Sequence, residues 1–379
     1  MSGPSAQRPA AAAAAAGTAL AAGTTVAAGT AARSPDAGRR RWLVSGYFGA
    51  RNLGDEALLA GLLAGLRTRG ARIVRVLSID PAHTQAVHGV DARRRLRGLP
   101  AALLGSDVLV SGGGGLLQDV TSGRSLGYYL GVIRAARLLR RRVVVYGQSL
   151  GPLSVGGQRR VQRALRGLPL GLRDAPSLAL AQRLGLTATA VADAALALPV
   201  PPGIQRDALV LVPRGGLPQA TMALRALGEE AQARGLQVEV LACHPALDLP
   251  EVARLQARLP GLRRLPDEPP EAALAALAGA RLVASVRLHG LVLATVAGVP
   301  HVGLAYDPKV AGFAQQSAAP CWPVPSDAPS ARILAAELKR VLSAPSLDLA
   351  ARTLLLREAH EGIDWLVREA LHEGSCPSA

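Results

Sequence analysis

Arg287, His289 and Lys309 are residue types that bind anions and move protons, and each falls where an apolar run gives way to a helix start. Residues 282–285 read as a buried strand, with Arg287-Leu288-His289-Gly290 at its end and a packed helix over 291–296. Gly298 and Pro300 stop that helix and open a second apolar run over 301–305. Asp307-Pro308 then restarts a helix, Asp at the cap and Pro in the first turn, with Lys309 beside them. In a parallel α/β sheet the carboxyl edge of the strands is the ligand crevice. Helix N–H groups at that edge already favour an anion. A guanidinium, an imidazole and an ammonium at one crevice fit an anionic substrate that also needs a proton donor.

Positioning these groups takes strands and helices in alternation, and the chain supplies them twice. Strands are expected over 42–47, 72–78, 107–111, 142–146 and 168–172, with helices over 56–67, 126–139 and 158–166. A polar connection and an arginine-rich helix are expected between 78 and 107. Pro199, Pro201 and Pro202 mark a linker. The pattern restarts with strands over 208–212 and 237–241 and helices over 219–233, 249–258 and 270–277, then runs into 282–305. The fold class is therefore α/β, with two doubly wound Rossmann-like domains and a site in the cleft between them. The divisions are a disordered Ala/Gly-rich tail (1–40), a first domain (41–198), a second domain (203–345), and a closing helix with a tail (346–379).

Other residues stand at the same kind of edge. Asn52 reads as a helix cap, with Asp55 and Glu56 either satisfying the helix dipole or, for Asp55, facing the cleft as acceptor or base. Gly112-Gly113-Gly114-Gly115 lets backbone approach a ligand closely, and Gln118 follows; no Gly-Lys-Ser/Thr completes a phosphate loop. Gln148 and Arg173 also end strands at the cleft. Arg214 ends the first strand of the second domain and stands out from the general arginine excess by that position. His244 beside Pro245 is a weaker candidate, and His83, His88, His360 and His372 read as structural. No residues have metal-ligand spacing, and no Gly-x-Ser-x-Gly elbow is present.

Composition narrows the partners. The 379 residues carry 43 basic and 27 acidic side chains, a net charge of +16, yet only Lys309 and Lys339 are lysines. So much arginine beside so much Ala, Gly and Pro fits a GC-rich coding bias. The clusters Arg93-Arg94-Arg95 and Arg140-Arg141-Arg142 have no nucleic-acid-binding motif around them, so no nucleic acid partner is expected. A basic face also suits anionic lipid head groups or a diphosphate-bearing substrate. Aromatics are 3% of the chain, so the cores must be built from Leu, Val and Ala. Cys243, Cys321 and Cys376 fit reduced cytoplasmic thiols. No run approaches the roughly 18 apolar residues that span a bilayer. The expected location is the cytoplasm, at most peripheral at the inner membrane face.

Asn52-Leu-Gly-Asp-Glu-Ala, Ser111-Gly-Gly-Gly-Gly-Leu-Leu-Gln-Asp, Tyr146-Gly-Gln-Ser-Leu-Gly-Pro, Leu172-Arg-Asp-x-x-Ser, Arg287-Leu-His-Gly and Tyr306-Asp-Pro-Lys-Val-x-Gly-Phe occur in that order. Together they resemble the polysaccharide pyruvyl transferase family. The CsaB type, which modifies the secondary cell-wall polymer anchoring S-layer proteins, is the most similar. The resemblance implies a GT-B-like fold and transfer of pyruvate from phosphoenolpyruvate to two sugar hydroxyls, as a cyclic ketal with release of phosphate. It implies no cofactor, and an acceptor that contains N-acetylmannosamine on a polyprenyl diphosphate. By the same resemblance, Arg214, Arg287 and the Leu288 backbone hold the donor, His289 is the general acid, and Asp55 and Lys309 serve acceptor or donor. Val212-Pro213-Arg214 stands where the family more usually has Ser-x-Arg.

The residues suit that chemistry on their own terms. Guanidinium forks match phosphate and carboxylate in bidentate geometry. A histidine of ordinary pKa about 6.5 suits proton delivery to an enol carbon. Two other classes share the features: a GT-B glycosyltransferase using a nucleotide sugar, for which Glu271 lies too far upstream to grip a ribose, and a non-catalytic binder of anionic polymer.

Overall fold

The computed structural model describes residues 33–120, 122–200 and 202–372. Its first sheet contains β1 (Arg41–Phe48), β2 (Ile73–Ser78), β3 (Asp91–Arg94), β4 (Val108–Leu117), β5 (Arg142–Leu150), β6 (Leu170–Leu172) and β7 (Thr189–Ala190), ordered 3-2-1-4-5-6-7. Between these strands run α1 (Pro35–Arg39, ahead of β1), α2 (Leu53–Thr68), α3 (Pro81–His88), α4 (Leu99–Leu104), α5 (Gly123–Leu138), α6 (Val155–Leu165) and α7 (Ala175–Arg183).

The second sheet contains β8 (Ala208–Val212), β9 (Gln237–Val240), β10 (Arg263–Arg264), β11 (Leu282–Ser285), β12 (His301–Ala305) and β13 (Cys321–Pro323), ordered 10-9-8-11-12-13. Its helices are α8 (Pro218–Ala233), α9 (Pro245–Gln256), α10 (Pro270–Leu277), α11 (Leu288–Ala297), α12 (Pro308–Gln316) and α13 (Ala328–Ser343), and α14 (Leu349–Leu371) closes the chain. Every paired strand is parallel. Each sheet reverses its order between two central strands, β1/β4 and β8/β11, so each has one switch-point crevice. Both are doubly wound, as the alternating pattern requires.

Several local expectations change. The stretch after β2 holds α3 and strand β3, where an arginine-rich helix was expected: Arg75 in β2 pairs with Asp91, opposite it in register. The glycine run lies within β4, which pairs with β5 as far as Leu117. Residues 33–40, within the expected tail, carry α1, whose buried Ala37 accepts a hydrogen bond from the Trp42 indole. Residues 1–32 of that tail, and Cys376, lie outside the described residues.

Apolar packing joins the two sheets. Leu58, Leu62 and Leu66 of α2, Leu291 and Leu293 of α11, Leu274 and Leu277 of α10, and Ile363 and Leu366 of α14 belong to one buried cluster that touches both sheets. Separate clusters cover the outer face of each sheet. The closing helix crosses back onto the first sheet, where Trp365 stacks on Tyr146 at 6.5 Å. Gly65 of α2 leaves no gap there: a Cβ would lie 2.3 Å from Ile363. The Arg69 guanidinium, buried between α2 and α14, donates to Asp364 (2.6 Å), the His360 carbonyl (2.6 Å) and the Gly65 carbonyl (3.1 Å).

Truncating Arg69 to Ala removes the guanidinium that ties α2 to the Asp364 carboxylate and to a carbonyl of α14, so we expect a loss of about 1–3 kcal/mol of unfolding free energy. Denaturant midpoints of wild type and Arg69→Ala measure it. A loss under about 0.5 kcal/mol, the ordinary surface value, would mean that α14 is held by its apolar face alone.

Candidate active site

Ser285, the last residue of β11, makes the turn that aims the next residues. Its hydroxyl donates to the Arg287 carbonyl (2.7 Å) and accepts from the Arg287 N–H (3.0 Å). Arg287 is the N-cap of α11, so Leu288 and His289 open its first turn. Gly290 is required because a Cβ there would lie 2.2 Å from the Ser285 hydroxyl. The Leu288 N–H is the first of the helix and has no intrahelical acceptor.

His289 projects to the junction of the two sheets, neither sealed in a core nor on an outer face; its side chain is 16% exposed. The ring lies against α2, where a Cβ on Gly54 would come within 2.2 Å of Nδ1. Its Nε2 stands 3.6 Å from Asp193 Oδ2, beyond a normal hydrogen bond but within ion-pair reach. Asp193 is buried at the start of a 3-10 turn (Ala194–Ala197), and its carboxylate also accepts from Arg173 Nη1 (2.6 Å) and the Ala195 N–H (3.0 Å). Arg173 is fixed in turn by the Ser149 hydroxyl, to which its Nε donates (3.0 Å). Burial alone would raise the Asp193 carboxyl, but His289 and then Arg173 hold it well below the usual carboxylate range.

Asp55 faces the same imidazole with the opposite titration. It is buried in the first turn of α2, with Asn52 Nδ2 donating to it at 2.5 Å while Asn52 Oδ1 caps the Gly54 N–H at 3.2 Å. Desolvation raises its pKa to about 6; His289 and Arg173 pull it down, and Glu56 pushes it up. The glycines of β4 make the room. A Cβ on Gly114 would lie 3.1 Å from Asp55 Oδ1, and one on Gly115 would lie 2.9 Å from Lys309 Nζ. Gly113 instead accommodates Leu58 of α2, so it serves packing. Gln148 is buried, donates to the Ser111 hydroxyl at 3.4 Å, and has an unpartnered Oε1; Gln118 lies just past the end of β4.

The second sheet contributes the cations. Arg214, after β8, lies over the Tyr306 ring at 4.0 Å, and its buried Nε has no hydrogen-bond partner. Burial, and then the nearby Arg173, lower the pKa of Lys309 below the ordinary ammonium value. The Arg287 guanidinium is already engaged within its own sheet. Its Nε (3.2 Å) and Nη2 both donate to the buried Asp248 carboxylate. Asp248 also accepts the N–H groups of Gly215 and His244, 2.9 Å each, so it ties the ends of β8, β9 and β11 together. Arg287 thus reaches the cleft with part of its donor set engaged and its charge balanced.

Sequence reasoning missed Asp193 and Asp248. The first follows a two-residue strand in an Ala/Leu-rich stretch without period. The second had a signal: His244-Pro245 at a strand end marks a helix start with Asp in the first turn, but the helix was placed four residues late. His83, read as structural, bonds Glu268 across the sheets at 2.9 Å. Among the described residues no three His, Cys, Asp or Glu could hold a metal ion, and no helix is long and apolar enough to cross a membrane.

Solved structures similar to this one include a glycosyltransferase from Rickettsia africae (TM-score 0.58, 9% identity, covering 88% of this chain and 100% of that one). A putative UDP-N-acetylglucosamine 2-epimerase from Listeria monocytogenes is similar too (TM-score 0.56, 13% identity, 89% and 98%). So is an Anabaena HepE protein in complex with UDP and glucose (TM-score 0.54, 12% identity, 88% and 100%). At such low identity these matches describe the fold, a GT-B-like pairing of two Rossmann-like sheets. Among curated protein sequences none matches this one. The model of the polysaccharide pyruvyl transferase family matches residues 52–308, well over half of the chain, from the cap of α2 to the first turn of α12, and the chain belongs to that family.

Proposed function

We propose that this member of the polysaccharide pyruvyl transferase family takes phosphoenolpyruvate as donor and converts two hydroxyls of a saccharide into a cyclic pyruvate ketal, releasing phosphate, as in the CsaB type. The acceptor in this reading is an N-acetylmannosamine-containing cell-wall precursor on a polyprenyl diphosphate, met at the inner face of the cell membrane. The observation that carries the reading is one imidazole flanked by two carboxylates of opposite titration, beside Arg214 and Lys309, which have no carboxylate within ion-pair distance among the described residues.

In this mechanism Arg214, Lys309 and the outer edge of Arg287 bind the donor's phosphate and carboxylate, with the Leu288 N–H at the helix start. His289, held by Asp193, gives a proton to the methylene carbon as the adjoining carbon becomes electrophilic. Asp55 accepts the proton of the first sugar hydroxyl as its oxygen bonds to that carbon. The second hydroxyl displaces phosphate, and its proton leaves with the phosphate. Asp55 then passes its proton back to His289, which it faces, so that the protein ends as it began. Asn52, Gln118, Gln148 and Arg173 line the acceptor side.

Phosphate release from phosphoenolpyruvate, assayed with and without extracted lipid-linked saccharide, tests the reading. A thermal shift with UDP-sugars and none with phosphoenolpyruvate would favour a glycosyltransferase, since a ligand at 100 times its Kd stabilises by about 2.7 kcal/mol. His289→Ala should lose at least about a hundredfold in turnover while still binding donor, whereas Arg287→Ala should weaken donor binding and also destabilise the fold, because it leaves the buried Asp248 carboxylate without its cation. A Gly54→Ala variant should keep its fold and lose turnover, because the added methyl cannot coexist with the imidazole where it stands; wild-type rates would show the ring free to move aside.

Asp55 also predicts a pH signature. A folded pKa above the unfolded 3.8 means that ionising this group costs stability, increasingly as pH rises from about 4 to about 6 and in full above that. Asp55→Asn should therefore be inactive yet more stable than wild type by about 1–3 kcal/mol at pH 8, with the gain fading towards pH 4. Wild-type turnover should fall about tenfold per pH unit below about 6. Equal gains in denaturant midpoint at both pH values would refute the raised pKa.

A further inference from the structure

The net charge of +16 is not shared between the two sheets. Residues 1–200 hold 26 basic and 9 acidic side chains, while residues 201–379 hold 17 and 18. Within the first half, residues 119–166 hold ten arginines and a single acid, Asp119. A coding bias towards arginine would load both halves alike, so this segregation needs a physical reason.

Residues 119–166 build α5 and α6, which pack on each other over β4 and β5. The Ser154 hydroxyl (2.5 Å) and N–H (2.9 Å) donate to the Asp119 carboxylate and lock the loop after β4 to the loop after β5, leaving one negative charge against the ten arginines. Val120 and Val155 project from these joined loops, 71% and 68% exposed. From Val155 a stripe of exposed side chains runs along one face of α6, through Arg159 and Arg163 to Arg166 at its end. Arg124 is exposed at the start of α5, and none of these four arginines has an acidic partner within ion-pair distance among the described residues. Both loops leave the carboxyl edge of the first sheet, the edge that carries Asp55, Gly114 and Gln148.

We infer that this face docks on an anionic lipid bilayer. The arginine stripe meets lipid phosphates, and the two valines enter the head-group layer beside the mouth of the cleft. Apolar tips ringed by unpaired cations are the pattern of an interfacial contact. Single-stranded nucleic acid would instead be served by aromatic stacking platforms, and this face presents only aliphatic tips. An acceptor tethered to the bilayer would then be delivered to the acceptor side of the site. The inference rests on charge and placement and does not require the pyruvyl-transfer reading.

Co-sedimentation of the full chain with phosphatidylcholine vesicles, with and without phosphatidylglycerol, tests it without any turnover assay. Binding is expected only with phosphatidylglycerol, falling at least tenfold from low to high salt. Arg159→Glu, Arg163→Glu and Arg166→Glu together should weaken it roughly a hundredfold, at about fivefold per arginine removed. Val120→Ser with Val155→Ser should weaken it severalfold, and circular dichroism should show both variants folded. Absence of binding to phosphatidylglycerol vesicles, or binding undiminished in the folded variants, overturns the inference. So does a single-stranded RNA that binds this same face more tightly than the vesicles do.

Discussion

The imidazole of His289 and the α-carbon of Gly54 touch with no space for a methyl group between them, and the site depends on that contact. One belongs to the helix after β11, the other to the helix after β1, so neither sheet alone contains the site. The Leu53 N–H donating to the Cys243 carbonyl at 2.7 Å, and His83 bonding Glu268, fix the same junction from either side. Behind them the shared apolar cluster of α2, α10, α11 and α14 gives the junction a dry floor. A rigid-body shift of either sheet by an ångström would break the line from Asp55 through His289 to Asp193, and misplacements of that size are costly to catalysis.

Two carboxylates facing one imidazole would compete for its proton if their surroundings matched. They do not. Asp193 is given an arginine and a backbone N–H, which keep it ionised against its burial. Asp55 is given one amide and the neighbouring Glu56, so desolvation dominates and its proton affinity approaches that of a histidine. Groups whose pKa values are pushed apart suit different roles: Asp193 stays ionised beside the imidazole, and Asp55 can exchange protons near neutrality. Glu56 is itself buried and held by His88 and the Gly49 N–H, so its charge cannot swing away from Asp55.

The run from β11 to α12 was legible in the sequence because each boundary carries its own signal: a four-residue apolar strand, a glycine after the helix, and an Asp-Pro restart. The doubly wound class followed from alternation, which survives errors of a few residues at element ends. The glycine run was visible as a place of close approach, but what approaches could not be read: the structure puts Asp55 and Lys309 there, with Leu58 at Gly113. Asp193 and Asp248 were illegible for a related reason. Each acts on a residue far along the chain, His289 and Arg287 respectively, and a pairing across so many residues leaves no local pattern. The preference for arginine over lysine holds in both halves, 15 of the 17 basic residues in the second, so a coding habit accounts for the residue type but not for the charge concentrated in the first half.

The site's charge follows from the same pairings. Arg173 is balanced by Asp193 and Arg287 by Asp248, and buried pairs of this kind gain little net energy but fix geometry. What remains for a ligand is Arg214, stacked on Tyr306, Lys309, the start of α11, and an imidazole that can carry a proton. A crevice of unbalanced arginines would bind any polyanion and release it slowly. Balancing two of them leaves an attraction suited to one compact anion. The balanced arginines still present directional N–H groups, so they discriminate by shape where the unbalanced cations discriminate by charge.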